Sequence, residues 1–142
     1  MVLSMSPSLA LQTMILARLA ADPAVTALVP ADDISDRYSG PAAYPSIIIG
    51  EGREYPLGGV KRDSARVSLD LHVWTDTPGS AEAKAITHAV RCALRDVPWV
   101  AEGHIVMDLA FVSARYMADP NETDVTHGVI TFDAFTLELE DA

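Results

Sequence analysis

The residue types best suited to chemistry come closest together at Asp70 and His72, which are two positions apart in an alternating stretch of the chain. Successive side chains of a β-strand point to opposite faces, so residues two apart share one face. A carboxylate and an imidazole on one face could begin a metal site or serve as an acid–base pair. The sequence favours the alternative, a polar sheet face on which each side chain finds a cross-strand partner.

The other residues with catalytic potential are dispersed along the chain. The histidines at positions 72, 88, 104 and 127 fall in separate predicted elements and lack the short spacing of zinc ligands. Cys92 lies within a predicted helix, where we expect a small buried residue. We therefore predict a protein without catalysis, metal or cofactor. The alternative is a small metal-dependent or hydrolytic enzyme that uses Asp70 and His72.

The segment 64–97 supplies the elements that would position these side chains. Its first part alternates apolar and polar residues, which predicts a strand with one buried face. After a break, an apolar stripe with helical spacing predicts a helix that begins at Ala81. The opposite face of that helix carries four basic or titratable side chains, Lys84, His88, Arg91 and Arg95.

Outside this segment the patterns predict two N-terminal helices that meet at Asp22-Pro23, and strands at 34–38, 46–50, 104–116 and 129–139. Residues 98–103 are predicted to form a turn, with Trp99 in the core. Residues 51–63 combine glycine, proline and charges, and we expect a mobile loop there. The sequence thus predicts a single α+β domain over residues 1–142, with a mainly antiparallel sheet of about four to five strands covered by two helices.

The composition excludes some classes of function. The chain has 142 residues, with 20 acidic and 10 basic side chains and a net charge of −10. Such a charge argues against sequence-independent binding to nucleic acid, because that binding depends on neutralising phosphates. No apolar run is long enough to span a bilayer, and no basic residue precedes Arg18 as a secretory signal would require. We expect a soluble protein made in the cytoplasm, with no membrane partner.

The order and spacing of several motifs resemble the phage tail completion, or tail terminator, family of long-tailed phages and gene transfer agents. The matching stretches include Asp22-Pro23-Ala24-Val25, Tyr44-Pro45-Ser46-Ile47-Ile48-Ile49-Gly50, Leu69-Asp70-Leu71-His72-Val73-Trp74 and His127-Gly128-Val129. None of them is catalytic, and the resemblance extends over nearly the whole chain.

The resemblance implies a structural virion protein that moves from the bacterial cytoplasm into the tail of the particle. It implies a ring, typically of six copies, that caps the tail tube and joins it to the head-side connector or stopper protein. DNA would pass through the lumen without specific binding. On this basis we predict interface positions in the loop, on the basic helix face and at an ambiguous tryptophan: Arg53, Tyr55, Lys61, Arg62, Trp74, Lys84, Arg91 and Arg95.

Overall fold

The computed structural model describes residues 5–36, 40–58, 63–101 and 103–139. These residues form three α-helices, one short 3-10 helix and six β-strands. The helices are α1 (Pro7–Ala21), α2 (Pro23–Thr26) and α3 (Ala81–Ala93), and the 3-10 helix is Ala31–Asp33. The strands are β1 (Ile34–Asp36), β2 (Ser46–Pro56), β3 (Ser64–Thr75), β4 (Trp99–Ala101), β5 (His104–Ala118) and β6 (Thr126–Glu138).

The boundary between α1 and α2 follows from local capping. The side chain of Ser6 accepts a hydrogen bond from the amide of Leu9 at the start of α1. The side chain of Asp22 accepts one from the amide of Ala24 at the start of α2. Pro23 occupies the first turn of α2, where its missing N–H has no cost. The helix break predicted at Asp22-Pro23 is therefore confirmed.

The strands form one mixed sheet in the order β1-β2-β3-β6-β5-β4. β1 runs parallel to β2, and every other neighbouring pair is antiparallel. β2–β3, β4–β5 and β5–β6 are antiparallel pairs of consecutive strands, while α3 lies in the connection between β3 and β4. The long β3–β6 ladder, with twelve residue pairs, joins the two halves at the centre of the sheet.

The core lies between the helices and one face of this sheet. The alternation predicted for β3 is confirmed, since Val67, Leu69, Leu71 and Val73 are all at most 5% exposed. They pack with buried side chains of α1 and α3, namely Leu11, Ile15, Leu19, Ile86 and Val90. Trp99 is also buried, as predicted, and its indole Nε1 donates to Asp96. The other face of the sheet, here called the outer face, points away from the helices.

The α+β class is confirmed, but the prediction of four to five strands and two helices is wrong in detail. The described residues contain six strands and three helices, and the sheet is mixed because β1 and β2 are parallel. Part of the turn predicted at 98–103 is β4, in which Trp99 pairs with Val106. Three residues are too few to show a hydrophobic period, so this strand has no clear signal in the sequence.

The loop predicted at 51–63 is also partly wrong. Residues 51–56 continue β2, which pairs with β3 as far as Pro56 and Ala65. The sequence conceals this extension because five of those six residues are exposed and only Tyr55 is partly covered. A register shift between Ile49 and Gly52 also disturbs the alternation. Lys61 and Arg62 lie outside the described residues.

Two further findings concern helices. Cys92 is exposed, so the prediction of a buried cysteine is wrong; the small residues that α3 buries are Ala83 and Ala89. Within the described ranges, none of the helices combines the length and apolar character that a bilayer span requires.

Candidate functional site

The outer face presents the polar phase of β3. Arg66, Ser68, Asp70, His72 and Trp74 alternate with the core residues and are exposed or partly exposed. The strand registers set their neighbours, because cross-strand pairs lie within side-chain contact distance. Tyr55 of β2 and Phe135 of β6 flank Arg66, and His127 of β6 is the partner of Trp74.

A cluster of four side chains from β2, β3 and β6 occupies one end of this face. The ring atom Nε2 of His72 lies 3.0 Å from Oε2 of Glu51, and Nδ1 of His72 lies 2.6 Å from Nε2 of His127. The ring of His127 stacks on that of Trp74, with 3.9 Å between centroids and 7° between planes. We call Glu51, His72, Trp74 and His127 the histidine cluster.

The hydrogen bonds of the histidine cluster restrict its protonation. A carboxylate accepts hydrogen bonds, so Nε2 of His72 carries a proton and donates it to Glu51. Nδ1 of His72 then either accepts from His127 or, in the imidazolium form, donates to it. The two rings can therefore hold one positive charge and keep their mutual hydrogen bond. A second proton would leave both facing nitrogens as donors and break that bond.

Electrostatics favour the uncharged imidazole at His127 and the ionised carboxylate at Glu51. Burial lowers the pKa of His127, the nearby His72 acts in the same direction, and the negative charge of Asp119 opposes them. The pKa of Glu51 is lowered first by a hydrogen bond from its own backbone amide and then by the hydrogen bond from His72. At neutral pH the cluster thus holds an ionised Glu51 and an uncharged His127, one at each ring nitrogen of His72.

The structure does not bring Asp70 and His72 together. Oδ1 of Asp70 accepts a hydrogen bond of 2.7 Å from the hydroxyl of Thr131, while His72 contacts Glu51 and His127. The interpretation that each side chain would find its own cross-strand partner agrees with this arrangement. In the part of the chain that is described, no group of three or more histidine, cysteine or acidic side chains could hold a metal ion.

A cavity of about 160 Å³ lies beside the histidine cluster. It is lined by Gly40, Ile48, Ile49, Gly50, Glu51, His72, Trp74 and His127. The polar side chains of this lining are those of the histidine cluster itself, Glu51, His72, Trp74 and His127.

The histidine cluster was missed by reasoning from the sequence. Glu51 and His127 are 21 and 55 residues away from His72 along the chain, so no spacing rule connects them. They meet because β2 and β6 both flank β3 in register. Trp74 was identified as an ambiguous residue on the polar phase of its strand, and it is partly exposed beside His127.

Two of the predicted interface residues lie together on β2. Nη1 of Arg53 donates to the hydroxyl of Tyr55 over 3.3 Å, and the guanidinium of Arg66 lies 4.3 Å from the centre of the same ring. The hydrogen bond from Arg53 is the main reason that the pKa of the Tyr55 phenol is lowered. We call Arg53, Tyr55 and Arg66 the basic edge of the sheet.

The basic face of α3 lies on the other side of the molecule, against β5. The guanidinium of Arg91 lies 3.8 Å from the centre of the Phe111 ring, and Nζ of Lys84 lies 5.6 Å from that of Tyr116. Both cations are therefore held by aromatic rings of their own chain. Arg95, just beyond the end of α3, is exposed. The predicted interface residues that the structure describes thus occupy separate surfaces, and they are not brought together at one site.

Comparison with known proteins identifies the family. The profile of the family described as "Tail completion protein gp17" matches residues 13–137. No curated protein sequence matches the chain significantly.

Two solved structures resemble this fold. A chain from a structure titled "Virion of native gene transfer agent (GTA) particle" superposes with a TM-score of 0.78 and 26% identity, covering 93% of this chain and 99% of that chain. The bacteriophage SPP1 gp17 protein superposes with a TM-score of 0.59 and 23% identity, covering 93% and 90%. The second likeness concerns the fold alone. Since the family profile spans most of the sequence, this chain belongs to the gp17 tail completion family and is a structural tail protein.

Proposed function

We propose that this protein is a tail terminator, a ring of copies that caps the tail tube of a phage or gene transfer agent and joins it to the head. The profile match over residues 13–137 carries the proposal. The likeness to a chain of a gene transfer agent virion supports it, because it covers nearly all of both chains. On this proposal the protein is made in the cytoplasm of the producing bacterium and ends in the particle tail.

The ring has six copies in this proposal and contacts the last ring of tube subunits on one side and a connector or stopper protein on the other. DNA passes through its lumen without specific binding. The net charge of −10 supports that role, since a surface of the same sign as the phosphates does not retain DNA. The protein acts by shape and contact and transforms no substrate.

Native mass spectrometry of the purified protein and particle images from a producing strain that lacks it test the proposal together. We expect a closed ring in the first and overlong or headless tails in the second. A protein that remains monomeric and leaves normal particles in its absence would refute the proposal.

The enzyme alternative can be tested in the same strain. Complementation with His72→Ala and with Glu51→Gln should restore normal particles, because neither side chain has a catalytic role. Folded variants that enter particles but leave them non-functional would instead indicate chemistry at the histidine cluster.

A further inference from the structure

The cavity beside the histidine cluster combines aromatic rings with an exposed carboxylate. Its volume of about 160 Å³ is smaller than the roughly 300–1,000 Å³ of sites that hold small-molecule ligands, so it has room for a single side chain. Trp74 is partly exposed at the wall of this cavity, and its ring is stacked on that of His127. Aromatic walls of this kind attract cations.

Glu51 supplies the charge of the cavity. The side chain of Glu51 is 78% exposed, whereas that of His72 is 17% exposed. An ionised carboxylate has about four acceptor positions. Within the described residues, Glu51 accepts hydrogen bonds only from its own amide and from Nε2 of His72. Glu51 can therefore accept further hydrogen bonds from a cation that enters the cavity.

The same chain shows which cation such a pair of residue types holds. The guanidinium of Arg18 lies 4.3 Å from the centre of the Trp99 ring. Nη1 of Arg18 also donates to both carboxylate oxygens of Asp96, over 2.9 Å and 2.7 Å. A tryptophan and a carboxylate thus hold an arginine between α1 and β4. Trp74 and Glu51 present the same two residue types, and no described arginine or lysine contacts them.

A guanidinium suits this cavity better than an ammonium group does. It is planar, it stacks on aromatic rings, and it can donate two parallel hydrogen bonds to one carboxylate. An ammonium group is compact and more strongly hydrated, so it loses more on leaving water. The negative charge of Glu51 disfavours phosphates and other anions. The chemistry of the cavity therefore selects an arginine side chain.

The charges of the chain select a different protein as the source of that arginine. A net charge of −10 attracts a basic partner more strongly than a second acidic copy. Four of the described arginines already lie on aromatic rings of their own chain, namely Arg18, Arg53, Arg66 and Arg91. Copies of this chain thus offer few arginines that are not already engaged.

We propose that the cavity at Glu51, His72, Trp74 and His127 receives an arginine side chain of a different protein of the particle. Its guanidinium lies on the aromatic wall and donates hydrogen bonds to Glu51. The histidine pair positions both partners of this contact, because His72 holds Glu51 and His127 holds the Trp74 ring. The inference rests on the proposed tail function, and it states that the tube protein or head-side protein docked here presents an exposed arginine.

The two tryptophans of the chain allow a direct test. Nitrogen-15 labelling of tryptophan gives one indole N–H signal for each, and Trp99 is the internal control because it is buried and Arg18 already lies on it. N-acetyl-arginine amide is titrated into the intact protein at a constant salt concentration of about 0.15 M. We expect it to shift the Trp74 signal and to leave that of Trp99 unchanged. N-acetyl-lysine amide and the uncharged N-acetyl-citrulline amide should bind several-fold more weakly.

Glu51→Gln is the site variant and Asp70→Asn is the matched control. Glu51→Gln should weaken binding of the arginine amide about tenfold, because it removes the charge from the hydrogen bonds to the guanidinium. Asp70→Asn removes the same charge from the outer face, but Asp70 contacts Thr131 and does not line the cavity. It should bind the amide as the wild type does. An unchanged Trp99 signal shows that each variant is folded.

The readout is binding rather than particle formation, since one contact of a larger interface changes affinity without abolishing assembly. Equal weakening in Glu51→Gln and Asp70→Asn would indicate general attraction between charges and would overturn the proposal. Equal binding of the arginine and lysine amides would overturn it as well.

Two further results would assign the cavity to another occupant. Binding that appears only in Arg37→Gln would show that the chain fills the cavity with its own arginine; Arg37 lies outside the described residues. Binding that appears only after dilution to monomers would show that a second copy fills it. Either result would overturn the proposal.

These outcomes are distinguishable from those for the tail function. If the protein forms rings and normal tails require it, but the arginine amide does not shift the Trp74 signal, the arginine site is wrong while the tail function stands. If the amide binds as expected while the protein stays monomeric and particles form normally without it, the cavity binds arginine but its partner is not a tail protein.

Discussion

At the scale of residues, the histidine cluster links three strands through polar contacts. Its three titratable side chains come from three strands, and the hydrogen bond between the two histidines survives one added proton but not two. The stacked Trp74 ring covers one side of His127. We therefore expect the cluster to fix the relative positions of β2, β3 and β6 at neutral pH and to weaken in acid.

The first prediction concerns pH. The pKa of His127 is lower in the folded state than its ordinary value of about 6.5. Below that pH the unfolded chain therefore binds more protons than the folded one. The contribution of His127 to the free energy of unfolding is complete above that pH, and it should be lost as the pH falls through the pKa of His127 in the folded state. The lowered pKa of Glu51 adds a further loss below about 4.5. Urea unfolding between pH 4 and pH 8 measures the effect. His127→Phe, which keeps a ring on Trp74, should flatten the loss of stability below pH 6.5, whereas an unchanged loss would contradict this assignment.

The second prediction concerns Gly50. A Cβ atom at this position would overlap Cδ2 and Nε2 of His72, the nitrogen that contacts Glu51. Gly50→Ala should therefore lower the free energy of unfolding by about 1–3 kcal/mol, the usual cost of overpacking. Gly52→Ala is the control, because its nearest neighbour would lie at an ordinary 3.4 Å. A double-mutant cycle with His72→Ala should show most of the cost relieved, and additive costs would contradict the clash.

At the scale of elements, the sequence predicts those whose periodicity reflects burial and misses those whose side chains are exposed. β3 and α3 were predicted because one side of each is buried, and this produces the two-residue and helical periods. The second half of β2 was missed because its side chains are mostly exposed. The site could not be predicted because Glu51, His72 and His127 meet only through strand register.

The third prediction tests the core between β3 and the helices. Leu71 is fully buried at the centre of the sheet, in register with Ile49 and Ile130. Leu71→Ala should cost about 2–5 kcal/mol of unfolding free energy, from lost burial and the cavity left behind. Ser68→Ala, on the outer face of the same strand, should cost much less. Equal losses of unfolding free energy in the two variants, measured by denaturant unfolding, would show that the two faces of β3 do not differ in burial as described.

The fourth prediction concerns the attachment of α3 to β5. The sequence suggests an interface role for Arg91, but its guanidinium lies on the ring of Phe111. Arg91→Ala should lower stability by about 0.5–1 kcal/mol, the usual value of an exposed cation–π contact. Arg95→Ala should leave stability nearly unchanged. Thermal melts compare the two, and a larger effect at Arg95 would contradict the assignment.

At the scale of the whole molecule, the net negative charge argues against nucleic-acid binding and agrees with the proposed function. The acidic residues outnumber the basic ones by two to one, and several of the basic side chains are held by rings or by Asp96. This charge balance makes the protein poorly suited to hold DNA, as the proposed lumen requires.

The fifth prediction follows from that balance. Duplex DNA should not bind the purified protein even at about 0.05 M salt, where attraction to phosphates would be strongest. A gel mobility shift at increasing protein concentration measures this. The double variant Asp108→Lys/Asp133→Lys serves as a comparison with more positive charge. Retention of DNA by the wild-type protein that weakens as salt is raised would contradict the proposed passive lumen.

The place of β6 in the sheet has a consequence for the timing of assembly. β6 follows every other described strand in the chain, yet it lies in the middle of the sheet between β3 and β5. Its partners on β3 are between 51 and 73 residues earlier, and such distant pairing is slow compared with local structure. A ribosome must therefore have translated past residue 138 before the two halves of the sheet can join. In the proposed function, the supply of copies for assembly then depends on this slow pairing of distant strands as well as on expression.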